Sequence, residues 1–184
     1  FSFGTGNMLG DILRGRPPDG DPDWVFVGEP TPGNANVAAG YSGVLEPPYV
    51  SLPGSPFSNP GTITMSTATP DAEVYYTTDG SYPDDSSQLY EGYIYVDDNT
   101  ILRAIATKQG WLNSRPNTQS YLFDYTGDLP VVSLSTNPEH FWDNDSGIYV
   151  LGPNASSDFP YFGANFWQDW ERPIHIEMFE PDGE

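Results

Sequence analysis

Val74-Tyr75-Tyr76-Thr77-Thr78-Asp79-Gly80-Ser81-Tyr82-Pro83 decides the fold. Aromatic and β-branched residues suit a pleated, half-buried surface. Here they run into Asp-Gly, the pair favoured by a tight type I′ hairpin turn, because both central positions of that turn need positive φ. The stretch reads as a strand and its turn.

Working outward, Thr62 to Ser66 alternates apolar with hydroxyl side chains and stops before the turn cluster Thr69-Pro70-Asp71-Ala72. Gly92 to Val96 precedes a second turn at Asp97-Asp98-Asn99. Thr100 to Thr107 then places Leu102, Ala104 and Ala106 on one face, and Gln109-Gly110 closes another hairpin before a last strand over Thr118 to Phe123. Short strands with turn signals roughly every 8–12 residues and no helical period predict a mostly β chain, an antiparallel sandwich of the immunoglobulin or fibronectin type.

Thr69 to Pro83, Leu89-Tyr90-Glu91-Gly92 and Thr100 to Trp111 together resemble the chitobiase/β-hexosaminidase C-terminal domain. The resemblance implies an accessory sandwich beside other domains and does not imply glycan hydrolysis. On it the sandwich spans 61–124.

The chain of 184 residues is large enough for one large domain or two small ones. Its 26 acidic residues face 6 basic ones, a formal charge of −20, with Lys108 the single lysine. Such a surface repels phosphate backbones and excludes nucleic acid as the expected partner, while leaving carboxylates for divalent cations; the plainer reading is a solvated acidic surface. Cysteine is absent, so disulfides, thiolate metal sites and a cysteine nucleophile are excluded. No apolar run reaches the ~20 residues of a membrane helix. A β-rich, lysine-poor chain rich in Gly, Pro and aromatics, opening on Phe1-Ser2-Phe3-Gly4, reads as a piece of a longer exported or cell-surface bacterial protein.

Residues 1–60 are dense in Gly, Pro, Asn and Asp, and within 1–36 lies the one stretch that reads as an element, Asp23 to Val27. Phe3-Gly4, Arg16-Pro17-Pro18-Asp19-Gly20, Asp23-Trp24-Val25-Phe26 and Glu29 to Asn36 resemble the closing strand and exit of a bacterial lamin-tail-type domain. The alternative is a linker whose aromatics dock on the central sandwich. Residues 37–60, with Pro47, Pro48, Pro53, Pro56 and Pro60, read as a semi-rigid linker in which Leu45 to Leu52 could form an edge strand.

Beyond 124 the chain reads as the opening strands of an α+β domain, 125–184. Leu129 to Thr136 is a strand; Asn137-Pro138 opens one helical turn, with Asn137 as cap and Pro138 at the first helical position. In the final strand Ile174, Ile176 and Met178 share one face and His175, Glu177 and Phe179 the other. Leu-Pro-Val-Val-Ser-Leu (129–134), Asp143-x-x-x-Gly147-Ile-Tyr-Val and Asn165-x-Trp167-x-x-Trp170-Glu-Arg-Pro-x-His175-Ile-Glu-x-Phe179-x-Pro-Asp-Gly resemble the opening of the spore-coat protein H (CotH) kinase family. The resemblance implies a divergent kinase-like fold using ATP and Mg²⁺, whose nucleotide- and metal-binding residues lie beyond Glu184. The residues agree, since the chain has no G-x-x-x-x-G-K-[ST] and no H-R-D segment. No catalytic residue is assigned within these 184 residues; an enzyme is expected only if the polypeptide continues past Glu184 into a full CotH-like domain.

Two kinds of site remain. Asp143 and Asp145, alternating before Gly147, have the spacing of oxygen donors in a calcium loop but lack its bidentate Glu; a solvated acidic turn is the plainer reading. Asp79 with Asp84 and Asp85 is a weaker version. Tyr75, Tyr76, Tyr90, Tyr93, Tyr95 and Trp111 could form a sugar-stacking strip, with Tyr76, Tyr82 and Trp111 as candidate carbohydrate contacts, although strand spacing also suits core packing. His140 and His175 have no partner legible in the sequence. The functional expectation is a non-catalytic docking fragment whose partners are other domains of the same protein or surface proteins. The alternatives are an accessory part of a surface kinase and a carbohydrate-binding module.

Overall fold

A computed structural model describes residues 13–28, 31–35, 40–57, 60–125 and 127–180. In chain order its strands are β1 (Leu13–Gly15), β2 (Val25–Val27), β3 (Tyr49–Val50), β4 (Ser55–Phe57), β5 (Gly61–Ile63), β6 (Met65–Ser66), β7 (Glu73–Thr77), β8 (Gln88–Leu89), β9 (Ile94–Val96), β10 (Thr100–Thr107), β11 (Asn117–Phe123), β12 (Val131–Ser135) and β13 (His175–Phe179). A single helical turn, α1 (Glu139–Trp142), follows β12. The chain is mostly β, as its alternation predicts.

The main sheet has the order β4-β11-β10-β7-β8, antiparallel except for β4 beside β11. Against it lie two strand pairs, β3 with β6 and β5 with β9. β5 and β6 are nearly one strand, interrupted at Thr64, whose N–H donates to Ser51 Oγ while its carbonyl accepts from Ser51 N–H. Between the two layers the inward residues of each strand form the core: Val50, Ile63, Met65, Val74, Tyr76, Ile94, Val96, Leu102, Ala104 and Tyr121. Full burial of a side chain such as Ile63 or Leu102 stabilises by roughly 1.5–3 kcal/mol.

The turn at Asp79-Gly80 departs from the tight hairpin expected there. Gly80 alone takes positive φ, and its N–H donates to Ile101 O, so the chain runs on beside β10. Asp79 instead accepts from Ser81 N–H and Oγ–H. The reversal falls later, around Asp84, whose carboxylate takes the Ser86 N–H and hydroxyl before β8 pairs Leu89 with Tyr75. The local Asx hydrogen bond and the buried Pro83 outcompete the two-residue turn.

Other turns behave as their chemistry predicts. Thr69-Pro70-Asp71-Ala72 closes with Ala72 N–H on Thr69 O and Asp71 at positive φ, the pattern of a type II turn. Asp97-Asp98-Asn99 carries the chain from β9 in one layer to β10 in the other. The 37–60 stretch does more than link, since β3 and β4 both lie in it and join the layers. α1 starts one residue later than predicted: Pro138 holds the cap position, without a side-chain cap bond.

β1 and β2 form an amino-terminal hairpin in which the Arg14 and Arg16 guanidinium groups stack over Phe26 and Trp24. A bridge from Phe26 to Tyr41, then one from Val44 to Leu112, ties it to the β10–β11 connection. Phe3-Gly4, Glu29-Pro30, Asn36 and the Pro-Asp-Gly stretch at 181–183 lie outside the described residues.

Candidate functional site

β12 and β13 form an antiparallel ribbon, with Ser133 opposite Glu177 and Ser135 opposite His175. Alternation gives it two faces, and the polar one lies against the sandwich. Glu177 Oε1 accepts Ser120 N–H at 3.2 Å and Oε2 accepts Ser120 Oγ–H at 2.6 Å. With its one proton committed to Glu177, Ser120 Oγ must accept from Ser133 Oγ–H at 2.7 Å. A directed chain of hydrogen bonds from Ser133 to Ser120 to Glu177 thus fastens ribbon to sheet. Glu177 is 14% exposed, and Gly54 is needed opposite it, because a Cβ there would sit 2.9 Å from Oε1 and closer still to the Ser120 backbone.

Next along the ribbon are Ser135 and His175, and next along β11 is Thr118; Ser135 Oγ, His175 Nε2 and Thr118 Oγ1 are buried without a hydrogen bond. His175 Nε2 lies 3.8 Å from Glu177 Oε2, too far for a hydrogen bond. Phe179 completes the inner face and is buried.

The outer face carries Val132, Leu134, Ile174, Ile176 and Met178, all exposed. This inverts the usual arrangement of an amphipathic ribbon on a core. In the segment of chain between the two strands, Trp142, Tyr149, Phe159, Phe162 and Trp167 are exposed as well.

The loops between α1 and β13 are held by Asn165, which is buried and donates through Nδ2 to Asn144 O and Gly147 O, both at 3.0 Å. His140 is fixed similarly: Thr136 Oγ1–H donates to Pro173 O, so His140 Nδ1–H donates to Thr136 Oγ1 at 2.7 Å.

Asp143 accepts from Asp145 N–H, Ser146 N–H and Ser146 Oγ–H, and the Ser146 hydroxyl and amide hold its carboxyl below the ordinary range. Asp145 Oδ1 takes the Asn144 amide. Among the described residues no three His, Cys, Asp or Glu side chains converge as a metal-binding group. A calcium ion here would need oxygens beyond these two carboxylates.

Only part of the aromatic strip read from sequence is left on the surface. Tyr76 belongs to the core, packed edge-on to Tyr90 with ring centroids 6.5 Å apart, and burial raises its phenol pKa. Tyr82 is exposed and carries the Arg103 guanidinium 5.1 Å from its ring centroid. Trp111 packs on Gly43, where a Cβ would come 2.5 Å from the ring.

Two rings of that strip share a face with a third. Tyr49 of β3 and Tyr93 and Tyr95 beside and within β9 point outward from the second layer, 67%, 73% and 58% exposed. Tyr95 lies opposite Thr62 and Tyr49 opposite Ser66. Tyr93 and Tyr95 are in the strip read from sequence; Tyr49 lies in the edge strand read over Leu45 to Leu52 but is not counted among the strip's rings.

Comparison with curated proteins and with solved structures returned no match. The family model of the chitobiase/beta-hexosaminidase C-terminal domain does match, over residues 52–120, which takes in β4 through β10 and the first half of β11.

Proposed function

We propose that this protein is a non-catalytic docking module, in which the sandwich is a rigid mount and the β12–β13 ribbon presents an apolar face to another domain of the same exported or cell-surface polypeptide. The observation that carries it is the inversion of the ribbon. Its polar face is spent on Ser120, and Val132, Leu134, Ile174, Ile176 and Met178 are left in water. Contiguous exposed aliphatic surface of this kind marks an interaction site. The match over 52–120 supports an accessory sandwich of the sort found in carbohydrate-active proteins. The likeness of 129–183 to the opening of CotH kinases supports a kinase-like domain whose remaining part covers this apolar face, and the module is then an accessory part of a surface kinase.

The test uses the 184-residue chain and the full polypeptide encoded by its gene, comparing oxidation of Met178 by dilute peroxide. The reading expects Met178 to be open in the short chain and protected in the long one. Equal oxidation in both, or a gene that encodes nothing more, would overturn it.

A further inference from the structure

The outer face of the second layer differs in chemistry from the ribbon. It is built from Tyr49, Thr62, Thr64, Ser66, Tyr93 and Tyr95, which are exposed while Val50, Ile63, Met65, Ile94 and Val96 between them are buried. No aliphatic or charged side chain interrupts these six positions, in a chain with 26 acidic and 6 basic residues. Along the β9 segment, exposed Glu91 and Asp97 flank the tyrosine row.

Register sets the scale. Tyr93 and Tyr95 are two residues apart, about 7 Å along the strand. Tyr95 stands level with Thr62 and Tyr49 level with Ser66, on strands that flank the β5–β6 line. Four residues along and two strand spacings across give about 16 Å between the outermost rings. Hydroxyls of Thr62, Thr64 and Ser66 fill the ground between.

Rings spaced along a flat face, interleaved with short hydroxyl side chains, complement a ligand that is apolar on its flat sides and hydroxylated at its edge. Pyranose rings have that character: their C–H faces meet the electron-rich tyrosine faces and their hydroxyls meet Thr, Ser and the flanking carboxylates. The net charge of −20 and the carboxylates at the row's ends oppose a polyanion. The aliphatic face of this molecule is the ribbon's, with Val132, Leu134, Ile174, Ile176 and Met178. We propose that Tyr49, Tyr93 and Tyr95 form a docking strip for an extended, uncharged pyranose polysaccharide. The strip lies on the opposite layer from the sheet that bears the ribbon, and this inference does not depend on the docking function of that ribbon.

The test is pull-down of the 184-residue chain with insoluble chitin and cellulose and calorimetric titration with their soluble hexamers, with polygalacturonate as the anionic arm. The expected result is saturable binding to at least one neutral polymer and none to polygalacturonate. Tyr93→Ala and Tyr95→Ala each weaken it about three- to tenfold and the double variant abolishes it, while Tyr95→Trp retains it and Tyr82→Ala leaves it unchanged. These side chains are exposed, so melting temperatures should match the parent. No binding to any neutral polymer at millimolar oligosaccharide, equal binding to polygalacturonate, or binding that survives the double variant would overturn the proposal.

Discussion

Replacing Glu177 should release the ribbon from the sandwich without melting the sandwich. Its carboxylate accepts two hydrogen bonds from Ser120, at 3.2 Å from the amide and 2.6 Å from the hydroxyl, and is only 14% exposed. Hydrogen bonds to charged groups contribute about 1.5–3 kcal/mol each, and the longer one lies at the weak end. Glu177→Ala removes both and leaves the Ser120 amide unpaired, offset by the carboxylate no longer needing to be desolvated, so a net loss of about 2–4 kcal/mol in ribbon docking is expected. That is roughly a 30- to 1000-fold change in the docking equilibrium. Amide hydrogen exchange reads it: peptides over 131–135 and 175–179 should exchange about that much faster, while those over 102–106 stay protected. Ser120→Ala keeps the amide and should give a smaller effect in the same places. Equal acceleration of 102–106 would mean that ribbon and sandwich unfold as one unit; no acceleration anywhere would mean that the Glu177 bonds do not hold the ribbon. Either result refutes the reasoning.

Leu102 is fully buried, and Leu102→Ala should cost about 2–5 kcal/mol, read as a lower denaturation midpoint. The Tyr121 hydroxyl donates to Leu52 O at 2.6 Å, and Tyr121→Phe should cost about 1–3 kcal/mol in the same assay. Burial raises the Tyr121 phenol above its ordinary range. Its contribution is therefore complete below the unfolded pKa near 10 and lost as pH rises above that, because the unfolded chain alone gives up the proton; thermal melts between pH 8 and 11 should show the decline, reduced in Tyr121→Phe. Asn165→Ala removes both bonds that tie residues 144 and 147, and faster exchange over 143–152 with an unchanged sandwich is expected. Gly152→Ala should disturb the same loop, since φ is positive there and a Cβ would meet the Asn165 side chain.

The sandwich was legible because the β-branched and aromatic content of Glu73–Thr77, Ile94–Val96 and Thr100–Thr107, bounded by turn residues, is a property of each strand, independent of its partners. Turns were legible where one local geometry dominates, as at Pro70-Asp71. At Asp79-Gly80 the carboxylate found Ser81 and Gly80 found Ile101, a long-range partner that no short-range signal reveals. The two faces of the last strand could be read from Ile174 to Phe179, but not which face is covered. That depends on Ser120, more than fifty residues earlier, supplying both donors to Glu177. The rings read from sequence converge only in part for the same reason: periodicity places Tyr76 and Tyr93 on strands, while only the assembled layers turn one inward and the other to solvent.

Methionine oxidation tests the inverted ribbon most directly. Met178 is 58% exposed on its outer face and Met65 is 7% exposed in the core. Treating the 184-residue chain with dilute peroxide and following each sulfoxide by peptide mass spectrometry should convert Met178 far faster than Met65. Met178 protected as well as Met65 in the monomeric chain would show the apolar face packed inward and contradict the account.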